Sequence, residues 1–115
     1  MAITVAYVDT QAIGSTEFSI ITDTTYDIAA NSTADGVYQI FLDLQDMTTS
    51  DELQVRVYEK VRAADTQRIV YQANIFGPQS SDFVTPALVL MHGWDVTLDA
   101  IAGTVTVNYT ILKVA

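Results

Sequence analysis

The sequence predicts an all-β domain, a two-sheet antiparallel β-sandwich of about eight strands, with the jelly roll as one topology open to it. Three observations carry that expectation. Segments of four to ten residues rich in Val, Ile, Thr, Tyr and Phe recur along the chain, separated by clusters of Gly, Pro, Asn, Asp and Ser. Inside these segments apolar and polar residues alternate with period two, most plainly near the end of the chain. There Trp94, Val96 and Leu98 oppose Asp95, Thr97 and Asp99, and Val105, Val107, Tyr109 and Ile111 oppose Thr104, Thr106, Asn108 and Thr110. Helical periodicity is almost absent: only LQDMTTSDEL, residues 44–53, has a helix-like composition, and it fits a single turn.

Strands are expected at 3–8, 16–22, 36–44, 53–61, 67–75, 84–90, 93–99 and 104–113. The first 14 residues, ending at Gly14, form either an ordinary first strand or an arm that adds a strand to a neighbour, and residues 15–115 form the sandwich. In the arm reading Ile3, Val5 and Tyr7 are contact residues. In the third strand, Tyr38, Ile40, Leu42 and Leu44 face the core, so Val37 and Phe41 point outward beside Gln39 and Asp43. An outward Phe41 needs a cover, either a second protein or the loop 23–35.

The fourth and fifth strands meet through Ala63 to Thr66. Leu53, Val55, Val57 and Val61 alternate inward, Arg56, Tyr58, Lys60 and Arg62 fall on the opposite face, and Arg68 follows across the turn. Four of the five basic residues thus lie on one hairpin of an acidic chain, which makes a patch for an acidic partner surface. The simpler alternative is neutralisation of neighbouring acids such as Glu59 and Asp65. The next run, FVTPALVLM (83–91), is apolar on both parities, as a central strand or an oligomer contact is. Pro86 within it points to an edge or a bulge. The closing pair then buries one row and leaves a second row, largely threonine, that is inexpensive to desolvate.

Net charge is −9, which argues against nucleic acid and anionic membranes as partners. Only 17% of residues are charged, below the roughly 25% usual for soluble domains, so the surface suits being covered by protein. MAITVAYVDT lacks the pattern of a secretion signal and no apolar run approaches membrane-spanning length, which predicts a protein made in the cytoplasm and kept there or released by lysis. Chemistry is sparse. His92 is the one histidine, there is no cysteine and no GxSxG elbow, and no calcium-loop spacing occurs. The densest acids, Asp43, Asp46, Asp51 and Glu52, read as turn caps. No catalytic residue, cofactor or metal is expected. The sequons at Asn31 and Asn108 carry little weight without secretion. A sugar-binding module would display aromatic rings, and Trp94, Tyr58, Tyr71 and Phe41 are candidates, although the parity of Trp94 places it in the core.

LQVRVYEKV (53–61), RIVYQANIFGPQ (68–79) and HGWDVTLDAIAGTVTVNYTILKV (92–114) together resemble small β-sandwich proteins of the capsid decoration, or cement, type encoded among the virion genes of tailed bacteriophages. The likeness covers roughly the C-terminal half. It implies a non-enzymatic structural protein on the exterior of the virion capsid. Such a protein binds the major capsid protein as a homo-oligomer, dimer or trimer, and staples neighbouring subunits. Arg56, Tyr58, Lys60, Arg62, Arg68, Phe41, Ile3, Val5 and Tyr7 are the contact residues this reading selects. The alternatives are a sugar-binding or host-adhesion module, or a head-tail or tail component.

Overall fold

Alternation gives each strand one apolar row, and two sheets close over those rows. The computed structural model describes residues 3–28 and 33–115. Its strands are β1 (Thr4–Ile13), β2 (Phe18–Ser19), β3 (Thr24–Thr25), β4 (Gly36–Asp43), β5 (Glu52–Glu59), β6 (Arg68–Phe76), β7 (Phe83–Val84), β8 (Leu88–Leu90), β9 (Asp95–Ala102) and β10 (Val105–Lys113). Sheet A has the order β1-β10-β4-β7, with β8 also on β4, and sheet B the order β3-β2-β9-β5-β6. Every pairing is antiparallel. Among the described residues there is no helix, and 44–53 is a pair of turns followed by the start of β5.

The order has a simple origin. β1 pairs β10, β2 pairs β9, β4 pairs β7 and β8, and β5 pairs β6. That is one long hairpin with its tip at residues 60–67, rolled up so that β10 meets β4 and β9 meets β5. This winding is a jelly roll.

The core lies between the sheets. Trp94, Ile13, Ile20, Ile40, Leu42, Leu53, Leu98 and Ile111 are fully buried. Trp94 packs edge-on against Tyr7 with ring centroids 6.1 Å apart and against Tyr38 at 4.4 Å. Its indole N–H donates to the Ala34 carbonyl, as does the Tyr38 hydroxyl. A large aromatic surface is thereby buried without orphaning its polar atom.

Three expectations fail, each for a local reason. FVTPALVLM is not central: it forms the outer margin of sheet A, with Val84 and Val89 exposed. Pro86 splits it into β7 and β8. At the break Thr85 turns inward: its N–H donates to the Ile40 carbonyl, and its hydroxyl accepts the Ile40 N–H. Val61 does not face the core; it is 81% exposed, because β5 ends at Glu59 and Val61 lies in the bend that leads into the turn. The strand expected at 93–99 runs on to Ala102, so the turn into β10 narrows to Gly103 and Thr104; the φ of 80° at Gly103 and its closeness to the Asp51 carboxylate leave no room for a side chain.

Candidate interaction surfaces

The outer faces of the two sheets differ. On sheet B, alternation turns Gln54, Arg56 and Tyr58 of β5 and Asp95, Thr97 and Asp99 of β9 away from the core, and cross-strand pairing sets Arg56 beside Thr97 and Tyr58 beside Asp95. The roof over this polar face is made by two side chains, Glu17 and Tyr26, from the ends of the β2–β3 pair at the margin of the same sheet. The Glu17 carboxylate accepts from the Tyr58 hydroxyl and the Thr97 hydroxyl, both at 2.5 Å, and pairs with the Arg56 guanidinium at 3.5 Å. Tyr26 stacks on Tyr58 with centroids 4.4 Å apart and donates to Gln67, which donates to the Gly93 carbonyl. Asp95, fully buried, accepts from the Ser19 hydroxyl and the Val96 N–H.

Burial under this roof moves titrations. It pushes the Tyr58 phenol up from 10.0 to about 12, helped by the hydrogen bond and charge of Glu17 and opposed by Arg56. Asp99 is raised by burial and then by Glu17, with Arg56 pulling the other way. Because the folded Tyr58 holds its proton more tightly than the unfolded one, its contribution to stability is intact below pH 10. It is lost as pH climbs through about 12. Melting temperature measured from pH 8 to 12 is expected to fall over the top two units, and less steeply in Tyr58→Phe. Part of the fall remains in that variant, since burial also raises Tyr109 to about 12.

Sheet A has no such roof. Cross-strand partners on its outer face align in rows: Val8, Thr110, Phe41 and Val84 cross four strands, flanked by Val5, Leu112 and Gln39 on one side and Thr10, Asn108 and Asp43 on the other. Val8 is 66% and Val5 59% exposed. Asp43 is the one charge in these rows. The threonine side of the closing strand thus belongs to a mostly uncharged, partly apolar sheet surface on a protein of net charge −9. A shallow groove of about 300 Å³ crosses it between Thr10, Phe41, Asp43, Asp82 and Asn108.

The two ends of the sandwich differ in charge. Where β4 ends and β5 begins lie Asp43, Asp46, Asp51, Glu52 and Asp82, while at the other end Lys60, Arg62, Arg68 and Lys113 are mixed with Asp35, Glu59 and Asp65. Of the residues the sequence selects, the structure therefore separates the basic hairpin into two groups. Arg56 and Tyr58 do point away from Val55 and Val57, but they are enclosed beneath Glu17 and Tyr26. Tyr58 is 8% exposed and offers little surface to a partner. Lys60, Arg62 and Arg68 lie at the open tip, where Arg62 pairs with Asp65 at 3.0 Å. Phe41 is half-buried in the middle of the sheet A face, beside Val84 rather than under residues 23–28. Val5 lies on that same face at the edge, Tyr7 turns inward onto Trp94, and Ile3 is exposed ahead of β1.

Glu17, the centre of the covered face, was not legible: it stands alone between Thr16 and Phe18 with no periodic partner. The nearest signal was β9 itself, whose Asp95 and Asp99 alternate with core residues and require buried partners. Among the described residues no three His, Asp or Glu side chains group as a metal site. Asn31 and Ala2 lie outside the described residues. No protein-family model matches the chain, and no curated protein matches it.

Proposed function

We propose that this protein is a non-enzymatic structural component that attaches to the exterior of a virion capsid, laying the outer face of sheet A on the major capsid protein. The observation that carries the reading is the row Val8, Thr110, Phe41 and Val84 with its flanking threonines and Asn108. It is an open surface whose rows hold one charge, Asp43, with Asp82 beside it at the groove, on a chain that has fourteen acids. Such a face loses little hydration on being covered, and repetition over a shell multiplies weak contacts into avidity. The phage decoration proteins that the C-terminal half resembles act in this way. Purified protein is expected to co-sediment with empty, undecorated capsid shells. Thr110→Lys, which puts an unpaired charge in the centre of the row, is expected to weaken that binding by about tenfold or more while leaving the melting temperature unchanged. Absence of co-sedimentation rejects the reading.

A second reading draws on the groove beside Phe41, where one aromatic ring lies among Asp43, Asp82 and Asn108, a set suited to sugar hydroxyls. Binding on a glycan array that is lost in Phe41→Ala, without shell binding, favours host adhesion instead.

A further inference from the structure

β1 is the free edge of sheet A. Among the described residues it pairs with β10 on one side only, so the backbone groups along its other side are open to a further strand. Two side chains mark which groups these are. Asp9 Oδ1 accepts from the Thr10 N–H at 2.8 Å, and Gln11 Nε2 donates to the Ala12 carbonyl at 3.3 Å, so the even-numbered residues turn their backbone groups off the sheet. Edges left open in soluble proteins are commonly blunted by Lys, Pro or a bulge. β1 has neither Lys nor Pro. Its bulge lies near its start, between Val5 and Tyr7, and the pairing from Tyr7 to Ile13 is regular.

The free edges of sheet B are poorer candidates: β3 is two residues long, and the ladder of β6 is interrupted at Val70, which has no partner on β5. β1 carries a single charge, Asp9, so two such edges bring few charges together.

We infer that β1 pairs antiparallel with β1 of a second copy about a two-fold axis at Thr10, joining the two A sheets edge to edge. Thr10 then meets Thr10 of the second copy, Val8 meets Ala12, and Asp9 meets Gln11 on both sides of the axis. The Thr10 N–H passes from Asp9 to a backbone carbonyl, and the Asp9 carboxylate gains the Gln11 amide across the junction. Neighbouring registers are worse: centring on Asp9 opposes two carboxylates, and centring on Val8 runs the ladder into the bulge. The dimer covers the exposed Val8 and sets the two uncharged faces side by side. This inference stands apart from capsid binding, because association is read with no shell present.

Sedimentation equilibrium of the full chain is expected to show a dimer, and Thr10→Lys, which opposes two cations at the axis, a monomer with an unchanged circular dichroism spectrum and melting temperature. The chain has no cysteine, so single thiols report geometry cleanly. Opposed residues of a hydrogen-bonded pair have Cα atoms about 5.5 Å apart, within disulfide range, so Thr10→Cys is expected to form a covalent dimer under mild oxidation. Asn108→Cys sits one strand in, about 14 Å from its counterpart at three strand spacings, and is expected to stay single. A monomeric wild type, a dimer that survives Thr10→Lys, or equal cross-linking of the two cysteine variants overturns the inference. The last outcome would mean that the copies stack face to face.

Discussion

Trp94→Ala is expected to destabilise the protein by about 3 to 5 kcal/mol, a large part of what holds a domain of this size together. The side chain is fully buried between Tyr7 of β1 and Tyr38 of β4, and its N–H ties the segment before β4 to the core through the Ala34 carbonyl. Truncation removes the burial, leaves a cavity that two tyrosines cannot fill by small shifts, and frees the Ala34 carbonyl from one of its two donors. Urea unfolding followed by far-ultraviolet circular dichroism measures the loss, since the variant has no tryptophan fluorescence. Phe76→Ala is the internal comparison. That ring is 63% exposed at the end of β6, and its removal is expected to cost under about 1 kcal/mol. Equal losses in the two variants would contradict the packing described for Trp94.

Glu17→Ala is expected to cost about 2 kcal/mol, more than an ordinary substitution at a half-buried site. The carboxylate is the shared acceptor of Tyr58 and Thr97 and the counter-charge of Arg56. Without it a phenol, a hydroxyl and a guanidinium face one another under the roof with their acceptor gone. Glu17→Gln retains the shape and one acceptor and is expected to lose about half as much. In the double variant Glu17→Ala with Tyr58→Phe the two losses are expected not to add, because the phenol whose stranding makes the first change costly is absent. Additive losses by urea titration would show that Glu17 and Tyr58 act independently.

Much of this architecture was readable because alternation survives wherever a strand has one wet face. The inward rows of β4, β9 and β10 follow the parity of Tyr38, Ile40 and Leu42, of Val96 and Leu98, and of Val105, Val107 and Tyr109. Parity also puts Trp94 inside, and it sets Arg56 and Tyr58 on the far side of β5. What alternation does not specify is what lies over that far side. Whether an outward residue meets water or a folded-back segment is decided by contacts between residues distant in sequence, such as Glu17 with Thr97. The strands that carry Glu17 and Tyr26 to their places, β2 and β3, are two residues each, too short for alternation to announce them. The end of a strand defeats parity as well: β5 stops at Glu59, and Val61, two residues further on, lies in solvent. On the sheet A side the threonine row was visible as a peculiarity, but its continuation through Phe41 to Val84 depends on β7 lying beside β4, and the run holding β7 has no alternation to read.

The rolled hairpin also constrains how the molecule comes into being. β1 has its strand partner in β10, at the far end of the chain, and β2 depends on β9. Neither sheet can close until β9 and β10 have been made; before that, only the pairings β2–β3, β4–β7, β4–β8 and β5–β6 have both partners present. Topologies dominated by such distant pairings reach the native state in milliseconds to seconds rather than microseconds. Until the last strand arrives, the apolar rows of the early strands stay open to solvent and to other nascent chains. That interval is when chaperone capture competes with aggregation.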